Sequence, residues 1–121
     1  MRARTGVLIA GCALCLLLPA QAQGPTVRPD EAARYVGQVV TVEGQVVQVS
    51  VSRQSNTTFL NFGGRYPDHV FVAVIFRSAA SAFPDPTQWE GRRVHVRGRV
   101  RMYRGKPEIV LDSPSQLAAA P

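Results

Sequence analysis

Gly91-Arg92-Arg93-Val94-His95-Val96-Arg97-Gly98-Arg99-Val100-Arg101-Met102-Tyr103 alternates strictly along its length. Val94, Val96, Gly98, Val100 and Met102 are apolar or small, while Arg93, His95, Arg97, Arg99, Arg101 and Tyr103 are basic or aromatic. Period-two alternation predicts a strand with one face in a core and the other in water. The frame Gly-x-x-Val-x-Val-x-Gly-x-Val occurs here and again from Gly37 to Val46. A glycine inside such a pattern marks a bend, a bulge or a close backbone approach. Two strands that bend in the middle predict a small curled sheet, and a barrel is the simplest way to close one.

The 121-residue chain has room for one domain. Arg2 and Arg4, the apolar run Val7 to Leu18, and Ala20-Gln21-Ala22 have the layout of a secretory signal peptide, with cleavage expected after Ala22. The apolar run is too short to span a bilayer as a helix. Ile9-Ala10-Gly11-Cys12 has some lipobox character, but the apolar core continues past Cys12 to Leu18, which favours ordinary cleavage. Cys12 and Cys15 are the only cysteines, so cleavage after Ala22 leaves neither a disulfide nor a thiolate metal site. The expected location is periplasmic or extracellular. The mature part would carry twelve basic against eight acidic residues, a net charge of about +4 that favours anionic partners. Thirteen of the fourteen basic residues are arginine, suited to phosphate. A GC-rich coding sequence gives the same bias, so arginine content alone carries no function.

Residues 23–36 read as a lead-in followed by a short helix, with Pro29 at its start, Asp30 and Glu31 in its first turn and Gly37 after its end. Ala32, Tyr35 and Val36 would be its apolar face, plugging one end of the barrel. A first strand runs from Val39 to Val51. Its apolar parity slips from Val40, Val42, Gly44 and Val46 to Val47, Val49 and Val51, which predicts a bulge and a strand that serves two sheets. Thr57–Phe62 is a second strand and Val70–Phe76 a third, apolar on both faces and therefore central. Ser78 would cap a helical turn that Pro84 and Pro86 end, and Trp89 would plug the core. The alternating stretch is the fourth strand, Arg104-Gly105-Lys106 a tight turn, and Pro107 to Leu111 the fifth. The tail 114–121 is expected to fray.

Strand, strand, strand, short helix, strand, strand is the order of the OB-fold, a five-stranded Greek-key barrel, here over residues 37–113. The same region carries Phe-Leu-Asn-Phe-Gly (Phe59 to Gly63) and Val-x-Gly-x-Val-x-x-Tyr-x-Gly-x-Pro-x-Ile (Val96 to Ile109). In these blocks the chain resembles small exported bacterial proteins with an OB-fold of the nucleic-acid-binding type. The resemblance implies that fold, and proteins of this kind are mostly named for the fold rather than for an activity.

No catalytic constellation stands out. His69 and His95 are the only histidines, and neither has a second ligand at metal spacing. Asp68 and His69 are adjacent on a turn, which is poor triad geometry. Nucleophile-elbow, phosphate-loop and dinucleotide motifs are missing, as are the paired carboxylates of an OB-fold nuclease. Neither an enzyme nor a bound cofactor is expected. The chain reads better as a binding module, because OB-folds take ligands across strands 2 and 3 between the loops joining strands 1–2 and 4–5. Those loops hold Arg53, Gln54 and Asn56 on one side and Arg104 and Lys106 on the other. Arg65 and Tyr66 follow strand 2, and strand 4 adds Arg97, Arg99, Arg101 and Tyr103. Arginines around rings suit single-stranded nucleic acid, or another polyanion, with Phe59 or Phe71 available to stack a base. The bland alternatives are a solvated face that discourages edge pairing, with both phenylalanines in the core. The barrel would then serve as an envelope scaffold for a protein partner.

Overall fold

The computed structural model describes residues 24–121. The leader, its Ala22 boundary and Cys12 lie outside the described residues. The chain is organised on β2 (Val39–Ser52), whose two halves make different partners. Val39 to Gln45 pair antiparallel with β5 (Arg93–Arg99). From Val46 to Ser52 the strand pairs instead with β3 (Thr57–Phe62). The register shifts between Val46 and Gln48, so the expected bulge falls on Val47. An extra residue there bends the strand, allowing one ribbon to wrap a core that two flat sheets would leave open. β4 (Phe71–Ile75) follows β3 as an antiparallel neighbour and is buried at every position, as its two-sided apolar sequence requires. β7 (Lys106–Val110) lies parallel to β4 and pairs on its other side with β6 (Arg101–Tyr103).

Several expectations need correction. The described residues form eight strands rather than five, and hydrogen bonding leaves the sheet open, in the order β6-β7-β4-β3-β2-β5-β8, with β1 (Thr26–Val27) added parallel to β2. One cause is Val100, which interrupts the predicted fourth strand. Its N–H donates to the Gln38 carbonyl (3.0 Å) and its carbonyl accepts from the Gly37 N–H (2.8 Å). β5 therefore follows β2 and β6 follows β7, the covalent link at Val100 joining one end of the path, β6, to the strand next to its other end, β5. The other additions come from the chain ends. Thr26–Val27 pair with Thr41 and Val42, and β8 (Leu117–Ala119) pairs with β5 where fraying was expected. Segments of two or three residues are too short to show a period.

The core contains Val40, Val42, Val46, Leu60, Phe62, Phe71, Val94, Val96, Ile109 and Leu111, all fully buried. Phe62 and Phe71 meet at 5.3 Å with rings tilted by 57°, an arrangement that adds about 0.5–1.5 kcal/mol beyond simple burial. Phe71 is thus a core residue and not a platform. Inward parity holds through Val94, Val96 and Val100, but Met102 is exposed because β6 is an edge strand beyond the end of the core. Val51 is exposed too, lying past the bulge at the far end of β2.

The N-terminal plug is a 3-10 helix, Pro29–Tyr35. Glu31 accepts from the Arg28 N–H (2.9 Å) and Ala32 is fully buried, whereas Val36 points to solvent. Gly44 has no Cβ, and an added one would lie 2.6 Å from Pro29 Cγ, so this glycine seats the plug. Ser78 caps nothing: the turn begins a residue earlier, as the 3-10 helix Arg77–Ala82 with Phe76 at its N-cap. A further 3-10 turn, Pro86–Trp89, continues past Pro84. Trp89 is only half-buried; one part packs on the core and Arg92 sits 4.7 Å over its ring.

Candidate functional site

The outer face of β3, β4, β7 and β6 is concave and forms a cleft of about 570 Å³. That volume falls in the usual range of small-ligand sites, about 300–1,000 Å³. Strand alternation builds its floor. Leu60 and Phe62 point into the core, so Thr57 and Phe59 point out, and on β4 Val74 does the same. Phe59 pairs with Val74, and Val72 with Glu108, which puts the Glu108 carboxylate on the floor beside the rings. Arg101 stands opposite Glu108 on β6 and donates from Nε to Glu108 Oε2 at 2.6 Å. The Glu108 side chain is 5% exposed and that of Arg101 52%. Burying a carboxylate without a partner is costly, so the guanidinium is what allows an acid to sit there.

Aromatic and basic side chains form the walls. Tyr103 and Phe76 are 52% and 40% exposed, unusually open for residues of their size. Arg101 lies 5.9 Å over the Phe76 ring and Arg104 lies 5.2 Å over Tyr103. Arg77 and Ser78 close one end, and Ser55 enters from the turn between β2 and β3. The turns at 53–56 and 104–105 thus flank one cleft, as the strand order requires of an OB-fold. Asn56 and Arg104, at φ 56° and 51°, and Gly105 at 79°, make those turns tight enough to do so.

The residues singled out in the sequence are not all brought together. Arg101 and Tyr103 line the cleft, and Arg104 stacks on its wall. Arg53 is exposed on the flanking turn. Asn56, on the same turn, lines a separate small groove of about 260 Å³ with Val51, Phe83 and Pro84. Lys106 is held by the neighbouring loop, its Nζ donating to the carbonyls of Pro67 (3.0 Å) and His69 (2.6 Å). Arg65 and Tyr66 sit on that loop; Tyr66 is 72% exposed, stacks on His69, and donates its N–H to Gln48. Arg97 and Arg99 lie elsewhere, on β5 opposite Thr41 and Val39, and Arg99 donates to the Gly37 carbonyl. On that wall Glu43 pairs with His95 (3.0 Å) and Arg93 (3.4 Å), and these neighbours, His95 foremost, hold its carboxyl below the usual range.

Phe76, Arg77 and Glu108 also line the cleft and were not singled out. Phe76 was legible only as the last residue of an apolar run, and Glu108 only as an acid inside a strand otherwise apolar or proline. Among the described residues no group of three or more His, Cys, Asp or Glu could hold a metal ion, and no helix is long and apolar enough to cross a membrane.

No protein-family model matches the chain, and no curated protein sequence matches it. Solved structures do. An aspartyl tRNA synthetase from Entamoeba histolytica superposes with a TM-score of 0.53 at 18% identity over 79% of this chain. A putative aspartyl-tRNA synthetase from Leishmania major Friedlin gives 0.53 at 11% over 78%. The match takes up 22% and 20% of those chains, so this chain spans about a fifth of the synthetases' length. At such identity the likeness is one of fold: a mostly β, OB-fold-like architecture.

Proposed function

We propose that this chain is a non-catalytic OB-fold binding module that takes single-stranded nucleic acid, or a polyanion of similar chemistry, across the β3–β4–β7–β6 face. One observation carries the reading: Phe59, Phe76 and Tyr103 line the same cleft as Arg77 and Arg101, between two turns bearing Arg53 and Arg104. Rings accept bases by stacking while guanidinium groups track phosphates. The fold is shared with proteins named as tRNA synthetases, which is consistent with an RNA or DNA ligand. Export is proposed from the leader-like pattern Arg2 to Ala22, and it would make the ligand an extracellular or imported strand.

The test is fluorescence anisotropy of a labelled single-stranded oligonucleotide titrated at low and at physiological salt. Binding should weaken steeply with salt, because bound arginines release condensed counterions. Arg53, Arg77 and Arg104 changed together to Ala should weaken it strongly with the thermal melt unchanged. Lys106 is better left intact, since its ammonium group ties down the loop at Pro67 and His69. Absence of binding at low salt would leave the barrel as a scaffold for a protein partner.

A further inference from the structure

Glu108 is out of place in a site for phosphates. Its carboxylate is nearly buried on the cleft floor, among Phe59, Phe76 and Tyr103, where a polyanion would have to pass. Arg101 holds Oε2 through a single Nε contact, and among the described residues Oε1 accepts no hydrogen bond. Oε1, the oxygen that Arg101 does not contact, disfavours a phosphate and attracts N–H donors. The backbone of a bound strand is therefore kept at the rim, near Arg77 and Arg104, and the bases face inward.

We infer that Glu108 selects guanine, accepting hydrogen bonds from its N1–H and N2–H while a neighbouring ring stacks on the base. This rests on the nucleic-acid reading above. The chemistry is that of the Watson–Crick edges. Guanine presents two adjacent donors, matched by the two oxygens of a carboxylate. Adenine and cytosine present one donor beside a ring-nitrogen acceptor, and thymine or uracil one donor between two carbonyls. Each of these sets a lone pair against the carboxylate, which is expensive in a poorly hydrated cleft. Arg101 acts as a positioning residue, fixing the plane and the charge of the carboxylate through Oε2.

The experiment compares short thymidine oligomers carrying one central guanosine, inosine, adenosine or cytidine, by anisotropy against the unmodified protein. Inosine keeps N1–H and lacks the 2-amino group. The guanosine oligomer should bind about tenfold more tightly than the inosine one, as expected for losing half of a two-point contact. Glu108→Gln, which replaces one acceptor by a donor in the same shape, should remove the guanosine preference, leaving guanosine bound no more tightly than adenosine or cytidine, whose donor–acceptor edges match the amide. Equal affinity for guanosine and inosine overturns the inference while leaving nucleic-acid binding intact. Failure of every oligomer to bind overturns the nucleic-acid reading itself. The inosine comparison needs no altered protein, so it stands even if Glu108→Gln folds poorly.

Discussion

His69 shows what one residue's surroundings can do. It is 6% exposed, Nδ1 has no hydrogen-bond partner, and Tyr66 covers its ring. Burial pushes its pKa below the ordinary 6.5, nearby Lys106 pushes the same way, and Asp68 opposes them. A lowered histidine pKa means that the unfolded chain binds the proton more readily. The stability from keeping His69 neutral is thus complete above about pH 6.5 and is lost as pH falls through the lowered folded value. Melting temperature should drop between pH 7.5 and 5.5, and His69→Leu should flatten that drop; an equal drop in both proteins would exonerate the imidazole. Phe76 and Tyr103 make the complementary case, being exposed rings with little part in folding. Changing either to Ala should weaken oligonucleotide binding by about 1–3 kcal/mol, the usual worth of one stacked base, with the melt unmoved. Titration by anisotropy decides it. At this scale the sequence was a partial guide. Arg101 and Tyr103 could be placed from alternation, but Phe76 and Glu108 could not, because whether they face a cleft depends on which neighbouring strand stops short.

Among the elements, the tail is one whose structure could not be read in advance. Pro114–Gln116 form a 3-10 turn that turns the chain back beside β5. The Gln116 carboxamide holds it, accepting from the N–H of Asp112 (2.8 Å) and Ser113 (2.9 Å) and donating to the carbonyls of Arg97 (3.0 Å) and Val110 (3.1 Å). Gly98 makes room, since an added Cβ would lie 2.6 Å from Ile109 and 3.1 Å from Gln116 Nε2. Gln116→Ala should cost about 1–3 kcal/mol by leaving those backbone groups unpaired. Hydrogen exchange should show Leu117 to Ala120 opening while Phe71 to Ile75 stay protected. Continued protection of the tail would show that Leu117 alone anchors it. In contrast, β2, β3, β4 and the bulge at Val47 were legible, because period and parity report directly on which face meets a core. A three-residue strand, tied down by the adjacent Gln116 through backbone carbonyls far back in the sequence, has no such signature.

For the molecule as a whole, the formal net charge is +6 at pH 7, but that charge is unevenly free. On the β2–β5 wall Glu43 engages His95 and Arg93, and Arg99 is turned onto a backbone carbonyl. Around the cleft, Arg77 lines one end and Arg104 rests on a ring. The salt dependence of binding should therefore follow the cleft rather than the total charge. Replacing Arg53, Arg77 and Arg104 should remove up to about three counterions' worth of slope in a plot of log affinity against log salt. Replacing Arg97 by Ala should leave the slope as it was. An equal loss from both sets would mean diffuse attraction with no cleft. The OB-like plan was visible in strand order, whereas the open path of eight strands was not, since it turns on one residue's backbone contacts.

That residue, Val100, couples two strands, β5 and β6, that pair with different neighbours. β6 could not slide along β7 beneath a ligand without dragging β5 the same step along β2. A step of one residue would carry Val94 and Val96 out of the interior and put Arg93 and His95 in their place. The valines on the far wall thus act as a pawl, and the position of Arg101 against Glu108 is held by apolar packing on the opposite side of the molecule.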